Sequence, residues 1–116
     1  NENSKMLCWH HVIPEMNHNE LLGWRTNVNN LAVIFLRNNS DFTRNQIRTK
    51  ISKNIISKYT DNINEVFSEG DSLIENSLYH INFGDWVSWY LSEKNKVDAI
   101  EIDVINFLKQ ELSKKK

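Results

Sequence analysis

Leu31-Ala32-Val33-Ile34-Phe35-Leu36 is the longest apolar run in the chain, and how it is read decides the fold. Its length falls far short of the roughly twenty residues that cross a bilayer, so no membrane span is expected and the run belongs inside a folded domain. Leu21, Trp24, Val28, Leu31 and Phe35 recur with a three-to-four-residue period, the spacing of a helix that buries one stripe. That period predicts a first long helix from His18 to Leu36. Ala32, Val33, Ile34 and Leu36 widen its stripe near the end, as in a central helix covered on more than one side.

Upstream of that helix, residues 1–15 read as an irregular arm, because Pro14 disfavours helical backbone at Ile13. Downstream, Asn38, Asn39 and Ser40 form a polar connection. Thr43 and Gln46 then have capping-box spacing before a helix with Ile47, Ile51, Ile55 and Tyr59 on its buried line. Ile63, Val66 and Phe67 resume a helical stripe that ends at Gly70, a C-cap residue. Ser72 with Glu75, Asn82 with Asp85, and Asp98 with Glu101 repeat the box spacing ahead of three further helical segments. Ile100, Ile102 and Val104 also alternate, so a short strand competes with the first turn of the last one. The expected fold is all-α: a single-domain bundle of about five helices over residues 16–113, with a basic tail at 114–116.

Composition supports one folded domain. The 116 residues are 40 % hydrophobic, with three Gly and one Pro. Cys8 is the only cysteine, so no internal disulfide staples the fold. The chain opens on Asn1, as expected of a processed product or an excised piece.

The formal net charge of -1 conceals a division. From Arg44 to Lys58 there are five basic residues and no acid, and from Tyr59 to Glu93 seven acids and no Lys or Arg. Folded into separate patches, these stretches would give one cationic and one anionic face. Arg44, Arg48, Lys50 and Lys53 surround the isoleucine line and would meet an acidic partner. Trp86, Trp89 and Tyr90 form the densest aromatic group, and such residues are enriched among interface anchors. The function expected from these features is a protein–protein interaction module of adaptor, regulatory or effector type, able to self-associate and not an enzyme, its partner being another protein.

Two alternatives stand beside it. The basic 44–58 helix can contact phosphates, giving a small nucleic-acid-binding module, although such modules are usually basic overall. Ile63 to Gly70 and Asn82 to Trp86 resemble two helix ends of Bcl-2-like bundles, which implies a groove that captures a partner helix. Here eleven residues separate the two pieces, and the family's closing Trp-Gly-Arg is absent.

No residue pattern calls for a catalytic group, a cofactor or a metal. Cys8, His10, His11 and His18 match no zinc spacing, and there is no phosphate-binding glycine loop or dinucleotide fingerprint.

Overall fold

The computed structural model describes residues 1–25 and 30–114. Val28 of the expected first stripe, and Lys115 and Lys116 of the expected tail, lie outside the described residues. The chain divides into two compact units, His10–His80 on one hand and Asn1–Trp9 with Ile81–Lys116 on the other.

In the His10–His80 unit the long apolar run is a strand, β1 (Val33–Arg37), and not the end of a helix. Val33 and Ile34 are stiff at χ1, and with Phe35 they suit a pleated surface. A short continuous apolar run is also what a parallel strand looks like in sequence. Of the periodic residues upstream, Leu21 and Trp24 fall on a 3₁₀ segment, Glu20–Arg25, which follows a shorter one at Glu15–Asn17.

After β1 the chain turns at Asn38, whose backbone and side-chain amides both donate to the Asp41 carboxylate at 3.1 Å. It then enters α1 (Thr43–Ile56) and returns as β2 (Ile63–Phe67). β1 and β2 pair in parallel, in register from Val33 with Ile63 to Arg37 with Phe67. The unit is therefore a β-α-β crossover. Ile63 to Phe67, expected as a helical stripe, is its second strand.

The buried line of α1 also differs from expectation. Thr49, Ser52 and Ile56 are buried, whereas Ile47 and Ile51 are half exposed. The Thr49 hydroxyl donates to Asn45 O at 2.9 Å and the Ser52 hydroxyl to Arg48 O at 2.8 Å. Each small side chain satisfies its own hydroxyl on the helix backbone and can be buried without an orphaned donor. The hydrophobic core beneath is Met16, Phe35 and Ile56, flanked by Ile13, Leu21, Trp24, Val33 and Ile63. Thr60 closes the crossover, its hydroxyl donating to Leu31 O at 3.1 Å.

α2 (Leu73–Asn95) begins in this unit and ends in the other, and α3 (Asp103–Ser113) follows. α2 is continuous through Asn82 and Asp85, which cap nothing. α3 begins beyond the Asp98 and Glu101 pair, and residues 99–102 form no strand. The all-α bundle is thus corrected to a mixed α/β fold with a parallel sheet. Among the described residues no helix is long and apolar enough to cross a membrane.

Candidate functional site

The charged residues that face one another lie where β1 ends and along α1. Arg37, the last residue of β1, is only 9 % exposed. Its Nη1 donates to Glu65 Oε1 of β2 at 2.5 Å, and its guanidinium lies 5.1 Å from the centre of the Phe67 ring. Lys53 of α1 donates to the other carboxylate oxygen of Glu65. One carboxylate therefore ties the helix to both strands. The Lys53 hydrogen bond holds the Glu65 carboxyl below the usual carboxylate range, with burial opposing it and Arg37 reinforcing it.

Around this triad is an open cavity of ≈ 420 Å³. Thr43, Gln46, Ile47, Lys50, Lys53 and Asn54 line it from α1, and Arg37 and Glu65 from the sheet. These α1 positions follow helical spacing, so one flank of the helix forms the wall. Of the four basic residues expected to form an exposed face, Lys50 and Lys53 are at the cavity. Arg44 is exposed and Arg48 half-buried. The Lys53–Glu65 pair joins the cationic stretch to the anionic tract, so the two are not wholly separate patches.

A second, uncharged cluster sits at the carboxyl ends of the strands, over the first turns of α2. The Ser68 hydroxyl lies 2.6 Å from Asn38 Oδ1 and 2.7 Å from Asn76 Oδ1. His80 Nε2 lies 3.2 Å from Arg37 O and 3.1 Å from Asn38 Oδ1. Both neighbours of that nitrogen are acceptors, so Nε2 carries the proton. His80 thereby fastens the loop after β1 to α2.

The loop after β2 is fixed by the capping box expected at Ser72 and Glu75. Glu75 Oε2 accepts from the backbone N–H groups of Asp71 and Ser72 at 2.9 and 2.8 Å. Glu75 N–H donates back to the Ser72 hydroxyl at 3.2 Å. Gly70 is not a helix C-cap but a point of close approach, where an added Cβ would lie 2.6 Å from Glu75 Cβ. At α1 the expected Thr43 and Gln46 box is absent: Phe42 is the N-cap, and Gln46 Nε2 donates to Asp41 O at 2.6 Å instead.

Trp86, Trp89 and Tyr90 belong to the other unit, where all three are exposed and the Trp86 and Tyr90 rings lie 6.0 Å apart. On the arm, His11 Nδ1 is 3.8 Å from Glu20. Among the described residues no three His, Cys, Asp or Glu side chains converge as metal ligands would.

Arg37, Glu65, Asn38, Ser68 and His80 were not singled out as site residues from sequence. The available signal was an acid and a base each set in a short apolar run, Glu65 before Val66-Phe67 and Arg37 after Phe35-Leu36. Read as strands, those runs place both charges on one face of a sheet.

Comparison with known proteins gives a consistent result. Residues 1–112 match the family described as bacterial phospho-glucose isomerase C-terminal SIS domain. A bifunctional phosphoglucose/phosphomannose isomerase of Aquifex aeolicus is 33 % identical over 116 residues, covering 98 % of this chain and 36 % of the relative. The protein of the same description from Caldicellulosiruptor bescii is 32 % identical over 115 residues, covering 97 % and 34 %. That from Thermoplasma volcanium is 29 % identical over 113 residues, covering 97 % and 36 %. The chain thus spans about a third of the length of these curated relatives. No solved structure matches.

These matches overturn the reading of a regulatory, non-enzymatic interaction module, because both the matched family and the relatives are isomerases. The likeness to Bcl-2-like bundles fails too, since Ile63–Phe67 is a strand.

Proposed function

We propose, from the premise that this chain belongs to the family of bacterial phospho-glucose isomerase C-terminal SIS domains, that it is the corresponding domain of a bifunctional isomerase acting on phosphorylated glucose and mannose. The observation that carries this reading is the family match over residues 1–112, nearly the whole chain. The ligand in this reading is a small phosphorylated sugar and not a protein.

The parallel crossover supports a place for the substrate contacts. In open parallel sheets ligands are received outside the carboxyl ends of the strands. Here those ends carry two loops, residues 38–42 and 68–72. Asn38, Ser68, Asn76 and His80 fasten both loops to the start of α2 by the hydrogen bonds described above. Isomerising a sugar moves protons between neighbouring positions, which requires acid and base groups held in register with the substrate. The polar cluster is assigned that positioning role.

The test is turnover of phosphoglucose and of phosphomannose, each offered alone to the full-length protein that contains this chain. Both are expected to be isomerised, and failure with both would overturn the assignment. Asn38→Ala, which removes the acceptor shared by Ser68 and His80, is expected to lower kcat/KM about tenfold or more by misplacing the loops. An unchanged kcat/KM would remove the cluster from the reading.

A further inference from the structure

α3 gathers its apolar residues on one side and buries none of them. Val104, Leu108 and Leu112 recur at helical spacing and form one line, with Ile105 beside it, while Asp103, Asn106, Lys109, Gln110 and Ser113 take the other side. Phe107 falls on the flank of that line, next to Glu111. Val104 is 82 %, Leu108 57 % and Leu112 63 % exposed. A helix of 11 residues is marginal in water by itself and gains most of its stability by packing an apolar face. Such a line calls for a cover.

The N-terminal arm of the same unit runs beside the start of this helix. The Lys5 ammonium donates to Glu101 O and lies 3.8 Å from the Glu101 carboxylate, just before α3. A cleft of ≈ 130 Å³ there has Glu2 and Lys5 on the arm side and Val104 and Ile105 on the helix side. Polypeptide leading into the arm would thus arrive next to the apolar line. This chain covers 36 % of the Aquifex aeolicus relative, and the family it matches is a C-terminal domain. In the isomerase reading, most of the protein therefore precedes residue 1.

A tethered segment acts at an effective concentration on the order of millimolar, far above that of a second copy in dilute solution. A lipid surface is a poor occupant, because interfacial helices are rich in Lys and Arg and α3 sets Lys109 against Asp103 and Glu111. We propose that α3 is a docking helix whose Val104, Leu108 and Leu112 seat in an apolar groove of the polypeptide that precedes this chain in the full-length protein. The inference rests on the reading of this chain as the C-terminal domain of a longer isomerase, and it assigns the surface by which that domain is held to the rest.

Hydrogen exchange on the full-length protein tests it, at two protein concentrations about a hundredfold apart. Amides of Asp103–Ser113 are expected to exchange about a hundredfold or more slower than in an unstructured peptide, and equally at both concentrations. Protection that falls on dilution would give the face to a second copy, and absent protection would leave it uncovered; either result overturns the inference. Leu108→Glu is expected to speed exchange about tenfold or more across α3 and also in one stretch before residue 1, because it buries a charge in the joint. Acceleration confined to α3 would overturn the commitment to that occupant. Gln110→Ala, on the opposite side of the helix, is expected to change neither region. Where Leu108→Glu does not fold, Val104→Ala replaces it, with a smaller acceleration expected in the same two regions. Turnover fails with the isomerase reading, whereas exchange at α3 is measured without substrate, so the two failures are told apart.

Discussion

The His10–His80 unit and the unit formed by Asn1–Trp9 with Ile81–Lys116 contain similar apolar residues and bury them very differently. In the first, Met16, Phe35 and Ile56 are almost sealed from solvent under a β-α-β crossover. In the second, the buried residues are Ser4 and Ser92, while Trp86, Tyr90, Val104, Phe107 and Leu112 are each more than half exposed. Its arm is held by polar ties, Asn3 Nδ2 to the Ser88 hydroxyl at 3.2 Å and Asn95 Nδ2 to Ser4 O at 3.1 Å. An amphipathic pattern alone does not make a core. A sheet covered by a helix concentrates apolar contact from segments distant in sequence, whereas a lone apolar helix face gains nothing until something packs on it.

The largest effect expected from this contrast is at Phe35. Phe35→Ala leaves a cavity in the only buried apolar cluster described and should cost about 3–5 kcal/mol. Phe107→Ala, on the exposed face of α3, should change stability by no more than about 0.5 kcal/mol. Urea unfolding read at both sites by hydrogen exchange checks the pair, and equal costs would break the comparison.

Ion pairs sharpen it at a smaller scale. Glu65 is largely buried and bridges two cations, so Glu65→Gln should destabilise by about 1–3 kcal/mol. Glu111, paired with Lys114 at 2.5 Å on the surface, should contribute no more than about 0.5 kcal/mol. The Glu65 carboxyl has a lowered pKa when folded. Its contribution is therefore complete above its unfolded value, about 4.3, and is lost as pH falls through the lower folded value. Melting temperature measured from neutral to acid pH should fall more steeply in the natural chain than in the Glu65→Gln variant.

The glycines give opposite signs in the two units. Gly70→Ala drives a Cβ to within 2.6 Å of Glu75 Cβ, and relieving that contact should cost about 1–3 kcal/mol. Gly84 lies inside α2 with nothing within 4 Å of an added Cβ, so Gly84→Ala should stabilise by about 0.5–1 kcal/mol. Two destabilised variants would contradict the open surroundings of α2 in the second unit.

What could be read from sequence followed from local chemistry. The helix over Thr43–Ile56 and the Ser72 and Glu75 cap depend on residues a turn apart, and both were expected. The strands were missed because β1 and β2 pair across an intervening helix, and nothing within Ala32 to Leu36 or Ile63 to Phe67 announces a distant partner. A three-to-four-residue spacing fits a helix and also fits side chains scattered over 3₁₀ turns, as Leu21 and Trp24 show. The site was half legible for the same reason. Lys50 and Lys53 belong to a visible charge run, but Arg37 and Glu65 gain their meaning only when two strands lie side by side. The buried line of α1 was hidden by chemistry of another kind, since Thr49 and Ser52 look polar in sequence but hide their hydroxyls on their own helix.

The smallest effect lies at the start of α2, the helix that belongs to both units. Glu75 has a lowered carboxyl pKa because the Ser72 hydroxyl, and then the backbone N–H groups of Asp71 and Ser72, donate to it. Ser72→Ala removes the hydroxyl that caps the Glu75 N–H and should cost about 1 kcal/mol. The lowered pKa means that the cap is complete above the unfolded pKa of Glu75 and is lost as pH falls through the folded one. Acid should thus speed amide exchange at the first turn of α2, over Leu73 to Ser77, once the intrinsic pH dependence of exchange is divided out. It should not do so at Trp86 to Tyr90 of the same helix, which no carboxylate caps. Equal acid sensitivity at both ends would mean that α2 opens as one piece, and that its two halves do not share in the separate stabilities of the units they join.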